Sequence, residues 1–580
     1  MNEKRKIRMR WVLALMSIIV IYIGLKNSIL TIEHEQYMMN NLYFVDEMDG
    51  RDFSFSFFKV GREDSYYMVL PSAYQKNEFE AEIIYKDRFY SLYIDDEKIQ
   101  TGDLWKDDLQ ESVHQLKVVD FLGKVRLETP FQILVSEDIP AVLVTVEAKA
   151  ELLDTKEYAN KQYVEKGEMA ILDTNGSVVL EDTMERFKVR GNLTSQLAKK
   201  PFTFTLSTPQ SICGMSASQN WHLLANATDS SHIRNKIMLD WAKELSDRYT
   251  PSGEYVDLFI NGEYQGLYLL TETIEDGEYR VKRDRDNSVM VEMELDYRAV
   301  LEMNYLATNR EHYWVIHEEL PMLEEEKEEI AEYLNEIESA LYNGEGRGIS
   351  TGKPLEELLD FDSWTDTWLL KEVSSDHDLG TTSQFAIVEN WEKKSILIAG
   401  PEWDFDGTLG NGMVPWSKNP RNLVAAIWNT KGIKSVNQNK WLAQMYQNEE
   451  FRKLLIKKYE EEIQPKINRL LESEIDAYAE SIRANVILDS LRWIGNGEYH
   501  NFNSPEDFEL ASNDDYCIKY DVLDTHTDMI KEFLREKDEF LTELWLEGVK
   551  FEVYIEEHNE DGMNLELNNN VYTWIPKVNH

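Results

Sequence analysis

Apolar and polar residues alternate along the first part of the chain. Phe53-Ser54-Phe55-Ser56-Phe57 is the plainest case, and a period of two is what a half-buried strand needs. Residues 81–84 and 89–94 continue the pattern, so residues 41–135 read as a small all-β domain, a spacer or binding module. A second β-rich stretch covers 141–206. It holds a strand at Ala141-Val142-Leu143-Val144-Thr145-Val146, another at 169–172, a turn at Asp173-Thr174-Asn175-Gly176 and a strand at 202–206 after Pro201. The period then changes. Ile233, Ile237 and Trp241 share one face of a helix over 233–245. Runs at 255–260 and 264–270 meet at Asn261-Gly262, a strong hairpin signal. Strands, one helix and a hairpin make a compact α+β lobe over about 139–300.

Residues 301–545 read as a mainly helical lobe. Ile330, Tyr333, Leu334, Ile337 and Leu341 form one stripe over 323–342, opposite a solvated glutamate face. Helices are expected at 355–374, 440–467 and 475–491. A strand pair, 384–388 and 395–399, leads directly into Pro401-Glu402-Trp403-Asp404-Phe405-Asp406. Residues 546–580 form a C-terminal extension.

The first 30 residues follow a different rule. Lys4, Arg5, Lys6, Arg8 and Arg10 precede an uncharged apolar run, 11–25. As a helix this run rises about 22 Å, short of a ~30 Å hydrocarbon core unless Ile29 and Leu30 extend it. No small-residue cleavage pattern follows, so an uncleaved single-pass transmembrane anchor is expected, with the basic flank in the cytoplasm and the bulk outside. Elsewhere, 107 Asp+Glu against 61 Lys+Arg give a net charge of -46. This argues against nucleic acid as a partner; a solvated acidic surface is the plain reading, and such a surface would attract cations or a basic protein. Cys213 and Cys517 are too few for a disulfide framework or a four-ligand zinc site.

Candidate chemistry lies in three places. Asp404-Phe405-Asp406 follows a strand and precedes Gly407, Gly410 and Gly412. In an extended backbone both carboxylates share a face and suit Mg²⁺, which takes hard oxygen ligands; an acidic turn is the plain alternative. Ser374-Ser375-Asp376-His377-Asp378 closes a helix and supplies either a base or a second metal ligand, unless these are simply solvated helix-end residues. Arg190-Gly191-Asn192 and the strand-leading Lys199-Lys200 suit a phosphate-facing loop and point charge.

The order of these fragments resembles the spore coat protein H (CotH) kinase family, an atypical branch with a bilobal, protein-kinase-like fold. The resemblance covers about 139–545. It rests on Arg190-Gly191-Asn192 with Lys199-Lys200, on Trp221-His222-Leu223-Leu224-Ala225 with Asp229 and Ile233-Arg234-Asn235, on Asn261-Gly262-Glu263-Tyr264 through Glu272, and on Trp403-Asp404-Phe405-Asp406. It implies an ATP- and Mg²⁺-dependent phosphotransferase acting on Ser/Thr hydroxyls of an extracytoplasmic protein. Lys199 or Lys200 would contact phosphates, with Arg190, Asn192, Arg234 and Asn235 ordering that wall. Glu272 would sit at the hinge beside adenine. Asp404 would hold Mg²⁺ with Asp406 assisting, and Asp378 would be the catalytic or second metal acid. The chain departs from the pattern at Leu193-Thr194-Ser195, which lacks the family tryptophan, at Pro201, and at Asp376, which stands where Asn is usual. An inactive kinase-fold surface scaffold is the reading from another class.

Overall fold

The computed structural model describes residues 39–76, 79–85, 90–109, 113–153, 163–283, 287–425, 441–497 and 515–549, with the short stretches 557–558 and 565–566. The apolar run 11–25 lies outside the described residues. Among the described residues no helix is long and apolar enough to cross a membrane.

Among the described residues ten strands come first: β1 (Leu42–Met48), β2 (Arg51–Phe55), β3 (Phe58–Val60), β4 (Ser65–Leu70), β5 (Phe79–Tyr85), β6 (Tyr90–Ile94), β7 (Glu97–Ile99), β8 (Leu104–Asp107), β9 (Val113–Asp120) and β10 (Val125–Val135). They form two sheets, in the orders β2-β1-β5-β8 and β3-β4-β10-β9-β6-β7. The aromatic alternation seen in the sequence supplies their core: Phe44, Phe55 and Phe79 are fully buried and meet edge-on or tilted, Phe44 and Phe79 with centroids 6.2 Å apart.

A closed barrel follows, built from β11 (Ala141–Val146), β12 (Glu165–Leu172), β13 (Val178–Val189), β14 (Phe202–Gln210), β15 (Ser218–Leu224), β16 (Gly253–Ile260) and β17 (Glu263–Glu272). Its order is β11-β12-β13-β14-β15-β17-β16, and β11 closes it by pairing parallel to β16. Alternate residues such as Val142, Val144, Phe204 and Leu258 fill the inside. The β16–β17 turn is the expected Asn-Gly hairpin, with Asn261 at φ 50° and Gly262 at φ 80°, both in the left-handed region that such a turn demands. Gly262 has a second reason to lack a side chain. A Cβ there would lie 2.4 Å from the Ser54 carbonyl oxygen, where the first β unit docks through a Ser56 N–H to Gly262 O bond of 3.0 Å. The two β bodies share one apolar core that joins Phe55 to Phe259, Tyr264, Leu488 and Leu491.

The remainder packs helices on a five-stranded sheet of order β19-β20-β18-β21-β22, with β18 (Val289–Glu294), β19 (Tyr305–Ala307), β20 (Tyr313–Ile316), β21 (Gln384–Val388) and β22 (Leu397–Ala399). The main helices are α1 (Arg234–Leu245), α2 (Glu324–Tyr342), α3 (Phe361–Ser374), α4 (Glu449–Lys458), α5 (Arg483–Trp493) and α6 (Leu523–Trp545). The α+β class is as expected. Trp364, Trp368 and Trp441 are fully buried in this core, each worth roughly 1.5–3 kcal/mol or more of burial. α5 leaves the helical body and lies on β17, where Trp493 Nε1 donates to Gln265 O at 3.0 Å.

Candidate active site

α3 ends with Ser375 in the left-handed conformation, φ 51°, and the chain turns through Asp376, His377 and Asp378. Asp376 is buried against Lys371 of α3, Nζ–Oδ2 2.6 Å, and its other oxygen accepts the Asp378 N–H at 2.9 Å. The carboxylate standing where the family has Asn is thus paired with a lysine and shapes the turn.

β22 delivers the second acidic segment, but not as an extended strand. Asp404 has φ 67°, so strand pleat does not align the two carboxylates as the sequence suggested. A left-handed kink at Asp404 does the placing. A non-glycine residue held there costs of order 1–3 kcal/mol and persists only if its surroundings over-determine it. They do. Ser383, itself at φ 55°, donates its hydroxyl to Asp404 Oδ2 at 3.0 Å. Thr228 donates to Asp406 Oδ2 at 2.8 Å. Phe405 N–H donates to Asn235 Oδ1 at 2.8 Å, and Asn411 Nδ2 donates to the Asp406 carbonyl at 2.8 Å. Arg234, paired with Asp229 at 2.5 Å, donates to the carbonyls of Thr408 and Leu409. Arg234 and Asn235 therefore brace the acidic loop from behind.

The three acids act on one another. Burial above all pushes Asp378 up to about 6; Asp376 and Asp404 add to the rise and His377 opposes it. Burial first, then Asp404, pushes Asp406 up to about 7, with Asp378 contributing. Facing them is Arg190, at the end of β13. Its guanidinium lies 5.6 Å over the Trp403 ring. Burial draws it down from its ordinary range while the charges of Asp404 and Asp406 pull it back. His222 of β15 completes this wall, its ring 5.8 Å from Trp403. Burial, then the neighbouring Arg190 charge, keep this imidazole well below its usual pKa and so neutral.

The two lysines are a correction. Lys199 Nζ lies 2.6 Å from Asp489 on α5 and donates to Leu267 O at 2.7 Å, in a pocket out of solvent. The acids that act on it are Asp489 and Asp257. Lys200 Nζ donates to the carbonyls of Ser195 and Leu197, at 2.9 and 3.2 Å, tying the Asn192–Leu197 loop to the strand it precedes. Successive residues entering a strand point to opposite sides; one lysine enters the α5 contact and the other the loop. Asn192 is exposed, and its carbonyl accepts Ser195 Oγ–H at 2.7 Å. Glu272 closes β17 with its carboxylate held by Arg280 at 2.9 Å and Ser252 N–H at 3.1 Å.

Arg190, Asp378, Asp404 and Asp406 are thus one constellation, with Arg234 and Asn235 behind it, whereas Lys199, Lys200 and Glu272 are engaged elsewhere. Thr228, Ser383, His377 and His222 belong to the site but were not singled out in the sequence. Only His377, between two quoted aspartates, and His222, inside a quoted motif, carried any signal there. Among the described residues no three His, Cys, Asp or Glu side chains form a ready-made metal cage.

A strand barrel set against a helical body, with two acid-bearing turns, makes a mixed α+β protein. The CotH kinase protein family matches residues 187–541, more than half of the chain, and the chain belongs to that family. It is similar to the inner spore coat protein H of Bacillus subtilis (strain 168), with 22% identity over 316 residues, covering 52% of this chain and 77% of that protein.

Proposed function

We propose that the chain binds ATP with Mg²⁺ between Arg190 and the Asp378, Asp404 and Asp406 carboxyls, and transfers the γ-phosphate to a Ser or Thr hydroxyl of a protein outside the cytoplasm. The observation that carries this is the gathering of three carboxyls beside one guanidinium, with burial first and the neighbouring carboxylates after it raising Asp378 to about 6 and Asp406 to about 7. A divalent cation relieves such crowding, and Mg²⁺ asks for one or two carboxylates with phosphate oxygens completing its shell. The residues fit that group. Asp404, with Asp406, would hold the metal. Asp378 would orient the acceptor hydroxyl and accept its proton, or ligate a second metal. Arg190 would take the phosphates, with the Asn192 loop beside it, and the end of β17 at Glu272 would serve as the hinge. Positioning and charge neutralisation supply most of phosphoryl-transfer catalysis.

A basic acceptor suits the flank of this site. A cavity of about 620 Å³ is lined by Glu275, Glu292, Glu294, Glu302 and Glu318, and Thr382, beside Ser383, donates to Glu294 at 3.3 Å. An anchor at 11–25 would hold the chain at a membrane, and a relative named for the inner spore coat agrees with a surface location.

The test is a thermal shift of the full chain with ATP and Mg²⁺ against Asp404→Ala. Ligand at 100 times its Kd stabilises by about 2.7 kcal/mol. A metal-dependent rise lost in the variant is expected; no rise at millimolar ATP turns the reading to a non-catalytic scaffold.

A further inference from the structure

His377 belongs to the first acid-bearing segment and reaches across to the second. Its Nδ1 is 2.8 Å from the Gly407 carbonyl oxygen, so Nδ1 carries the proton and donates. Its Nε2 is 3.6 Å from Asp378 Oδ2. The side chain is 6% exposed, too buried for a solvated helix-end residue. We infer that His377 is a positioning residue, which fixes the Asp378 carboxyl relative to the Asp404–Gly407 turn so that both can serve one metal–phosphate group. This rests on the reading of the site as a nucleotide-binding phosphotransfer centre.

The glycines of the turn point the same way. Gly407 is not among the residues with positive φ, so its backbone does not require glycine. Its surroundings do: a Cβ at Gly407 would fall 1.7 Å from His377 Cε1 and 1.8 Å from Nδ1, and a Cβ at Gly412 would lie 3.4 Å from His377 Cβ. Gly407 therefore makes room for this ring, whereas at Gly412 the nearer obstacle is Ser417 Oγ, 1.9 Å from the added Cβ. Asp376 is occupied by Lys371 and by the Asp378 amide; Leu409 N–H to Ser374 O and Lys371 Nζ to Trp403 O also tie the two segments together, and His377 adds the link that runs from Gly407 to the Asp378 carboxyl itself. Partners that orient metal ligands from outside typically account for 10–100-fold in metal affinity or activity.

Three variants of the full chain separate the bridge from mere filling of space. His377→Phe keeps the ring volume and loses both polar contacts. His377→Asn keeps a donor where Nδ1 lies and loses the reach to Asp378. Gly407→Ala pushes the ring away. For each, ATP binding is titrated against Mg²⁺ by calorimetry, phosphotransfer is followed to separate kcat from KM, and melting is recorded. His377→Phe is expected to need 10–100-fold more Mg²⁺ for half-maximal ATP binding, and to lose kcat with little change in KM for ATP. His377→Asn should recover part of the Mg²⁺ response. Gly407→Ala should cost far less in the His377→Asn background than alone, because the shorter side chain no longer meets the new methyl. The proposal is overturned if His377→Phe matches the parent in Mg²⁺ dependence and kcat, or if its loss is matched by a melting shift and Asn restores nothing. A parent chain that binds no ATP at any Mg²⁺ concentration overturns the phosphotransfer reading itself.

Discussion

The ammonium of Lys199, just ahead of β14, meets the carboxylate of Asp489 on α5 at 2.6 Å, with the two side chains 1% and 0% exposed. This pair joins the barrel to a helix that arrives from the far end of the chain. Asp489 also accepts the Leu267 N–H of β17 at 2.9 Å, and a Cβ on Gly266 would lie 2.2 Å from the same oxygen. Removing one partner of a buried pair leaves an uncompensated charge, which costs about 3–5 kcal/mol. Lys199→Met is therefore expected to lower stability by that order in urea unfolding. Adding Asp489→Asn should regain part of it, because the amide oxygen still accepts Leu267 N–H. Were Lys199 a phosphate ligand instead, Lys199→Met would abolish ATP binding and leave the unfolding midpoint in place.

On the proposed reading of the site, the phosphate-facing role falls to Arg190. Its guanidinium lies over the Trp403 ring, 5.6 Å from the ring centre, and feels Asp404 and Asp406. Arg190→Ala should weaken ATP·Mg²⁺ by about 1.5–3 kcal/mol, the range of a hydrogen bond to a charged group, as read by calorimetry. Arg190→Lys should recover little, because a lysine has neither the planar face to lie on the indole nor two fixed donors for phosphate oxygens. Full recovery by lysine would mean that charge alone is at work.

How much of this was legible in the chain depended on how local each signal was. The Asn261-Gly262 hairpin, the β11 strand and the helix ending at Ser374 were visible because turn chemistry and period act over a few residues. The barrel's closure was not, since the parallel β11–β16 pairing joins residues more than a hundred positions apart and leaves no periodic mark. Asp378 and Asp404 were singled out from their motifs, and they lie in the acid-bearing turns that face Arg190. The hydroxyls that hold the carboxylates were missed, because Thr228 and Ser383 are bonded across long separations and neither differs in type from an ordinary surface residue. The lysines were misjudged for a related reason. A Lys-Lys pair ahead of a strand says that one points each way, but not that Asp489 waits on one side.

The first β unit contains a titrating clasp of its own. His114 donates from Nδ1 toward Asp95 at 2.7 Å and from Nε2 toward Asp107 at 2.6 Å, and its ring stacks on Phe131 at 5.2 Å. The bond to Asp107 above all, then that to Asp95, raises the imidazole to about 8 against the cost of burial. A histidine whose folded pKa is raised binds its proton more tightly when folded. Its contribution is complete below the unfolded value of about 6.5 and disappears as pH rises through about 8. Urea midpoints should fall between pH 6 and 9, and His114→Gln should flatten that segment of the profile. An unchanged slope in the variant would assign the dependence to another group.

The same unit is bound to the barrel too closely to act as a detachable spacer. Phe55 meets Phe259 of β16 edge-on, centroids 6.1 Å apart, and Tyr264, Leu488 and Leu491 belong to the same buried cluster. Glu63 reaches α5's neighbourhood through Lys519 at 2.9 Å, and Asn496 bonds both Gly61 N–H and Lys59 O. Exposing a large apolar side chain costs roughly 1.5–3 kcal/mol, so uncovering four of them approaches the 5–15 kcal/mol that holds a whole domain together. A chain beginning at residue 136 is expected to be insoluble, or to melt without cooperativity. Gly262→Ala, which sets a methyl against the Ser54 carbonyl, should lower the melting temperature of the intact chain while leaving ATP binding at Arg190 unaltered. A soluble, cooperatively melting protein from residue 136 onward would show instead that the barrel closes its core alone, and that the first unit was added to a body already complete.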